Sequence, residues 1–241
     1  RPDGHTLLCG YCGTMTGRVA VGTLGGILPA RDFIPIGQIT DTPQLFVTHP
    51  SVPVNSMREF IAYAKQRPGD LTYASAGVGS MHHLGAELLK LRAGIDMLHV
   101  PYRGTAPSMA AVMNGETLFA IDNAPASRQQ VLGGLLKALG VSTAKRSGNM
   151  PEVPSLQEQG VPNFDVASWY GIVAPAGVPA AIRERLGAEI VAALNDPAIA
   201  QRVRDYGAEP WPLGPAEYNA FMRREVETWA PVVRASGAQI D

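Results

Sequence analysis

Long apolar runs are missing from this 241-residue chain: no stretch of about 18 consecutive apolar residues occurs, so nothing in it reads as a membrane-spanning helix. An excess of one charge is missing too. Twenty basic and 21 acidic side chains leave a formal net charge of −1, and no basic run offers a footprint for nucleic acid or an anionic membrane surface. Cysteine is scarce, with only Cys9 and Cys12. A lone pair falls short of the four ligands of a structural zinc site. On a strand from Leu7 to Tyr11 the two thiols would point to opposite faces, which opposes a bridge. No helix begins there, as a redox CxxC motif requires. Two unpaired, mostly buried thiols are expected. Arg1-Pro2-Asp3-Gly4 is polar and turn-forming and does not read as a secretory signal. The 46% hydrophobic content is enough to build a core in one domain or two small lobes.

Strand-like and helix-like segments alternate along the chain, which argues for an α/β architecture with mainly parallel sheets. Leu45-Phe46-Val47-Thr48 reads as a strand closed by Pro50. Ser56-Met57-Arg58-Glu59 fits a capping box, and Phe60, Ile61 and Ala64 form an apolar face until Pro68-Gly69. Further strands are expected at Met97–Val100, Leu118–Asp122 and Val166–Val173, with a helix around Ala106–Met113. Pro179, Pro197 and Pro215 open three later helices. Tyr218, Phe221, Met222, Trp229, Val232 and Val233 form a stripe on the last of these and read as core.

The most informative stretch is Tyr73-Ala74-Ser75-Ala76-Gly77-Val78-Gly79-Ser80-Met81-His82-His83-Leu84: a strand, a glycine-rich loop and a helix start. Ser80 can cap a helix running to about Ala93 and packing through Leu84, Leu88 and Leu91. Such a junction directs unpaired N–H groups and the positive end of the helix dipole at one spot, which suits a carboxylate or phosphate. A tight turn that needs glycine for steric reasons is the alternative. Catalytic patterns are weak. Gly-x-Ser-x-Gly is absent, with the glycines misplaced in Gly77-Val78-Gly79-Ser80-Met81, and a dinucleotide fingerprint would need glycine at His82. The five histidines (His5, His49, His82, His83, His99) have no HExxH spacing, so neither a metal nor a cofactor is expected.

Downstream lie His99-Val100-Pro101-Tyr102-Arg103-Gly104, Phe119-Ala120-Ile121-Asp122-Asn123-Ala124-Pro125, a segment from Leu136 to Arg146, and Ser168-Trp169-Tyr170-Gly171-Ile172-Val173-Ala174-Pro175. This ordered set resembles the substrate-binding proteins of tripartite tricarboxylate transporters, the Bug or TctC-like family, from Pro2-Asp3-Gly4 to the C-terminus. The resemblance implies a two-lobed type II periplasmic binding fold, a Venus flytrap. Residues 1–49 with 143–241 would form lobe one and residues 50–142 lobe two, with crossings near Thr48-His49-Pro50 and Val141-Ser142-Thr143. It also implies a preceding βαβ segment with a proline- and glycine-rich ligand loop. One wall of the expected pocket is then not among these residues, and binding by them alone is expected to be weak.

The function so implied is extracytoplasmic, periplasmic capture of a small carboxylate, by lobe closure around it, for the membrane subunits of the transporter. The binder is expected to be a monomer with no nucleic-acid partner. The carboxylate could be a dicarboxylate, amino acid, hydroxy acid or aromatic acid. Ser75 Oγ and the amides from Ala76 and Gly77 through Gly79 to Ser80 would hold one carboxylate. His83 would brace that loop or donate to the ligand, a satisfied semi-buried histidine being the alternative. Asp122 and Asn123 sit at a strand end where open α/β sheets bind ligands. A carboxylate there suits an amino acid, hydroxy acid or water-bridged diacid; otherwise the two residues cap the helix after Pro125. Tyr11 and Thr14 match a cleft-facing loop of lobe one, although the family usually has small or hydroxylated residues where Tyr11 and Cys12 stand. Tyr102 would close over the ligand, while Arg103 reads as exposed and Trp169 as packing near the hinge. Two other functions stay open: an effector-sensing domain of a transcription regulator of the same fold, and a hydrolase using Ser80 and His83.

Overall fold

The computed structural model describes residues 1–17 and 28–237. The chain divides into two compact units, Arg1–Thr42 with Ser168–Asp241 and Pro43–Ala167, so both ends of the chain share one unit. The first passage between units falls at Thr42/Pro43 rather than near Thr48–Pro50, and the second at Ala167/Ser168 rather than at Val141–Thr143, which is the larger difference. Ser142 explains the difference. Its N–H donates to the Gln44 carbonyl at 2.9 Å, its hydroxyl donates to the Val166 carbonyl, and Val166 N–H returns to its own carbonyl at 3.0 Å. Met150 and Val153 also belong to the core of the second unit, which keeps the segment after Ser142 with it.

In the first unit, β1 (Leu8–Tyr11) pairs antiparallel with β7 (Ala167–Pro175). The N-terminal half of β2 (Phe33–Thr48) pairs antiparallel with β8 (Glu209–Leu213). A π-helical turn, Gly13–Gly17, follows β1, and α1 (Pro29–Asp32) precedes β2. Helices α6 (Ala180–Asn195), α7 (Pro197–Asp205) and α8 (Pro215–Ser236) complete this unit. Ile182, Leu186 and Ile190, one face of α6 at helical spacing, pack on Ile36 of β2 and Ala174 of β7. Trp169 packs edge-on against Tyr218 and Phe221 of α8, and its indole N–H donates to Glu225 at 2.9 Å. The thiols differ: Cys12 is buried, with its pKa pushed up to about 12 chiefly by desolvation, whereas Cys9 is exposed, contrary to expectation.

The second unit holds the C-terminal half of β2 with β3 (Thr72–Ser75), β4 (Leu98–Pro101), β5 (Phe119–Asn123) and β6 (Lys137–Val141). Strands β5, β3 and β4 run parallel to one another, while β2 is antiparallel to both β5 and β6. The sheets are therefore mixed and not mainly parallel: the long strand β2, shared between the units, runs against β5, β6 and β8, and β1 runs against β7. The strand Leu45–Thr48 is only the last quarter of β2. Side chains alternate across it: Leu45 and Val47 join Ala74, Ala120, Met109 and Val112 on one face, while Phe46 meets Phe119 and Phe164 on the other. Both faces are covered, as a sheet with parallel strands requires.

Helix α2 (Met57–Lys65) starts where Ser56 accepts Glu59 N–H at 3.2 Å, and Glu59 reaches back to Asn55 N–H at 2.7 Å. Phe60 of α2 stacks on Phe119 at 4.5 Å. Helix α3 (Met81–Ala93) is buried nearly all round through Leu89, whereas Leu91 is 53% exposed and lies outside the core. Helices α4 (Thr105–Met113) and α5 (Ala124–Leu132) follow β4 and β5.

Candidate functional site

The ends of β3, β4 and β5 form a polar crest on the second unit. Ser75 closes β3, Tyr102 follows β4, and Asn123 closes β5, all at carboxyl ends of parallel strands. Tyr102 N–H donates to the Ser75 carbonyl at 3.0 Å, tying two of these ends together.

The loop from Ser75 to Ser80 turns because Gly77 and Gly79 have φ of +120° and +75°, where other residues are strained. A Cβ on Gly77 would also stand 3.4 Å from the Tyr102 carbonyl. Ser80 caps α3 as the sequence predicts: its hydroxyl accepts His83 N–H at 3.2 Å and donates to the Gly77 carbonyl at 2.7 Å. Gly77 N–H donates to Ser75 Oγ at 3.1 Å, and Gly79 N–H to His83 Nδ1 at 3.4 Å. Among the described residues the N–H groups of Ala76 and Val78 meet no acceptor, and those of Met81 and His82 precede the first i→i−4 bond of α3. Ala76, Gly77, Val78 and Ser80 are half-buried. A rigid, partly accessible loop carrying spare donors beside a helix N-terminus is chemically an anion receptor.

Ser75 is placed differently from its expected part. It is fully buried, and its Oγ lies 2.6 Å from His99 Nε2, an interaction that sequence spacing did not single out. His83 braces the loop, through Nδ1 to Gly79 and through a ring stack with His99 at 4.2 Å. Burial lowers the pKa of His83, and it lowers that of His99 to about 3 with help from His83 and Lys90. Ser80 Oγ takes the His83 main-chain N–H and the ring bonds elsewhere, so a nucleophile–base pair between them is not formed. Among the described residues no group of three His, Cys, Asp or Glu is placed to hold a metal ion.

Asp122 is 1% exposed, and its carboxylate faces protein. Oδ1 accepts Asn123 N–H at 2.8 Å and Oδ2 accepts the Ser127 hydroxyl at 2.5 Å, so the residue serves the start of α5 instead of presenting itself to a ligand. Desolvation raises its pKa to about 6 against those two hydrogen bonds. His82 Nε2 stands 3.7 Å from Oδ1, and burial holds the pKa of His82 down to about 4. Asn123 is the N-cap of α5, without a side-chain capping bond. Tyr102 is partly buried against the core, and Arg103 is exposed. On the first unit, Tyr11 stacks on Tyr170 at 6.3 Å, and the Thr14 hydroxyl donates to the Tyr11 carbonyl at 3.0 Å.

A sequence model described as the tripartite tricarboxylate transporter family receptor matches residues 1–238. The chain belongs to that family. Protein BugT of Bordetella pertussis is 33% identical to this receptor-family chain over 242 residues, covering 99% of this chain and 73% of BugT. Among solved structures, Rpa4515 of R. palustris with adipate superposes with a TM-score of 0.92 at 34% identity, over 100% of this chain and 81% of that one. MatC (Rpa3494) from Rhodopseudomonas palustris with bound malate gives 0.85 at 31% identity, over 97% and 80% of the two chains. The periplasmic binding protein BugD gives 0.87 at 29% identity, over 99% and 80%. The α/β fold is thus that of the periplasmic binding proteins, and the chain is a solute-binding receptor by family.

Proposed function

We propose that this receptor captures a small organic acid in the periplasm and presents it to the membrane subunits of a tripartite tricarboxylate transporter. One carboxylate of the acid rests on the Ala76–Ser80 loop, taking the N–H groups of Ala76 and Val78 and the first amides of α3. The spare donors of that loop carry the reading: each hydrogen bond from a fixed amide to a charged oxygen contributes about 1.5–3 kcal/mol. The adipate and malate held by two relatives of the same fold support a dicarboxylate. The loop is neutral and built of main chain, so it recognises the carboxylate and leaves the rest of the acid to other residues. Tyr102, at the neighbouring strand end, packs alongside the bound acid.

Calorimetric titration with adipate, malate, succinate and glutamate tests the proposal. Saturable binding of at least one acid, absent for its dimethyl ester, is expected. Binding of none, or equal binding of acid and ester, overturns it.

A further inference from the structure

His99 lies outside the loop in sequence and beneath it in space. A serine hydroxyl has one proton and two lone pairs to place. Ser75 Oγ accepts Gly77 N–H, so its proton goes to His99 Nε2 at 2.6 Å or to the Gly77 carbonyl at 3.3 Å. The shorter contact wins if Nε2 is bare, and burial of the ring keeps it neutral at physiological pH. The ring has little freedom to leave: it packs in a cluster of three near-parallel rings, 4.8 Å from Tyr73 and 4.2 Å from His83, which stand 6.4 Å from each other. Tyr73 is itself fixed by its hydroxyl to Glu87 at 2.6 Å, and Glu87 also takes Lys90 at 3.0 Å.

We propose that His99 is a positioning residue of the anion loop: it takes the Ser75 proton, turns a Ser75 lone pair to Gly77 N–H, and so fixes the backbone with the Ala76 and Val78 amides free. His83 does the same for the other glycine, accepting Gly79 N–H on Nδ1. The two imidazoles must then be opposite tautomers, His99 protonated on Nδ1 and His83 on Nε2. Ser75 is consequently a brace, with no proton left to offer a ligand. This inference rests on reading the loop as a carboxylate site.

Two measurements test it. Long-range ¹H–¹⁵N NMR of the histidine rings in the ligand-free protein should show a bare Nε2 on His99 and a bare Nδ1 on His83. A proton on His99 Nε2 overturns the proposal whether or not any acid binds. Adipate and malate are then titrated into wild type, His99→Gln and His99→Leu, with urea unfolding run in parallel. The glutamine carbonyl can accept the Ser75 proton, so His99→Gln should bind within about threefold of wild type and His99→Leu about tenfold more weakly. Should His99→Leu not fold, His99→Asn, whose shorter amide falls short of Ser75, takes its place with the same expectation. Wild-type affinity in the non-accepting variant overturns the positioning role, whereas a wild type that binds none of adipate, malate, succinate and glutamate overturns the carboxylate reading and leaves the tautomers to decide this one.

Discussion

Two strand-to-helix junctions in the second unit meet the same electrostatic problem and solve it in opposite ways. Both β3→α3 and β5→α5 end a parallel strand and begin a helix, so both direct backbone N–H groups outward from the sheet. At β5→α5 the chain supplies its own anion: Asp122 takes Asn123 N–H and the Ser127 hydroxyl, and the site is filled from within. At β3→α3 there is no acidic residue in the first turn of the helix, a serine caps one amide, and two glycines fold the loop so that further amides stay open. On the proposed reading the open junction receives the external acid, while the closed one is structural. Identical topology does not make equivalent sites, and the side chains decide which junction can receive a ligand.

The largest expected effect comes from closing the open junction. Gly77→Ala puts a Cβ where φ is +120° and the Tyr102 carbonyl is near. The strain is worth about 1–3 kcal/mol, and relieving it must move the amides. Calorimetry should show dicarboxylate affinity falling by about tenfold or more, and urea unfolding should show lower stability. Unchanged affinity would mean that the loop is not the binding element.

Asp122→Asn sharpens the contrast from the other side. Because the carboxylate faces Asn123 and Ser127, the substitution should change adipate or malate affinity by less than about threefold, well below the cost of a lost charged hydrogen bond. Its signature lies in pH. The folded-state pKa of about 6 is above the unfolded value, so the folded protein binds the proton more tightly. The wild-type contribution from this group is present below about pH 4 and is lost as pH rises through 6. The stability difference between wild type and Asp122→Asn, from urea unfolding at several pH values, should shift in favour of the variant across that window. A pH-independent difference would remove Asp122 as a buried, shifted carboxyl.

His82 titrates with the reverse sign. Its pKa of about 4 lies below the unfolded value of 6.5, so the stability it contributes is complete above 6.5 and is lost as pH falls towards 4. His82→Gln should flatten that part of the unfolding profile. The smallest expected effect is that of Ser80→Ala, which removes one helix cap and should cost about 1 kcal/mol of stability.

Much of this was legible in the chain. Ser56 and Ser80 announce their helices, the Gly77–Gly79 pair announces a close-turning loop, and the order of motifs is specific to the family. What was not legible depends on contacts far apart in sequence or on orientation. His99 meets Ser75 across 24 residues through β3–β4 pairing, and nothing in His99-Val100-Pro101 distinguishes a brace from a strand histidine. The direction of the Asp122 carboxylate is set by Ser127 on the next helix turn, a choice that its position at a strand end does not reveal. The length of β2 is hidden by Pro35 and Pro43, residues that normally argue against a continuous strand. Here the strand changes its partners along its length, from β8 near Gln38–Asp41 to β5 and β6 at Leu45–Thr48. The leucine pattern of α3 misled because the helix is buried almost all round, so Leu91 at the expected spacing emerges into solvent.

The most direct test of the central claim is an amide NMR titration of the wild-type protein with malate or adipate, followed at both junctions. The account predicts large, saturable shifts of the Ala76, Val78, Met81 and His82 amides, with Asn123 and the first turn of α5 nearly unmoved. Saturable shifts at Asn123 and α5, with the Ala76–His82 amides unmoved, would contradict it.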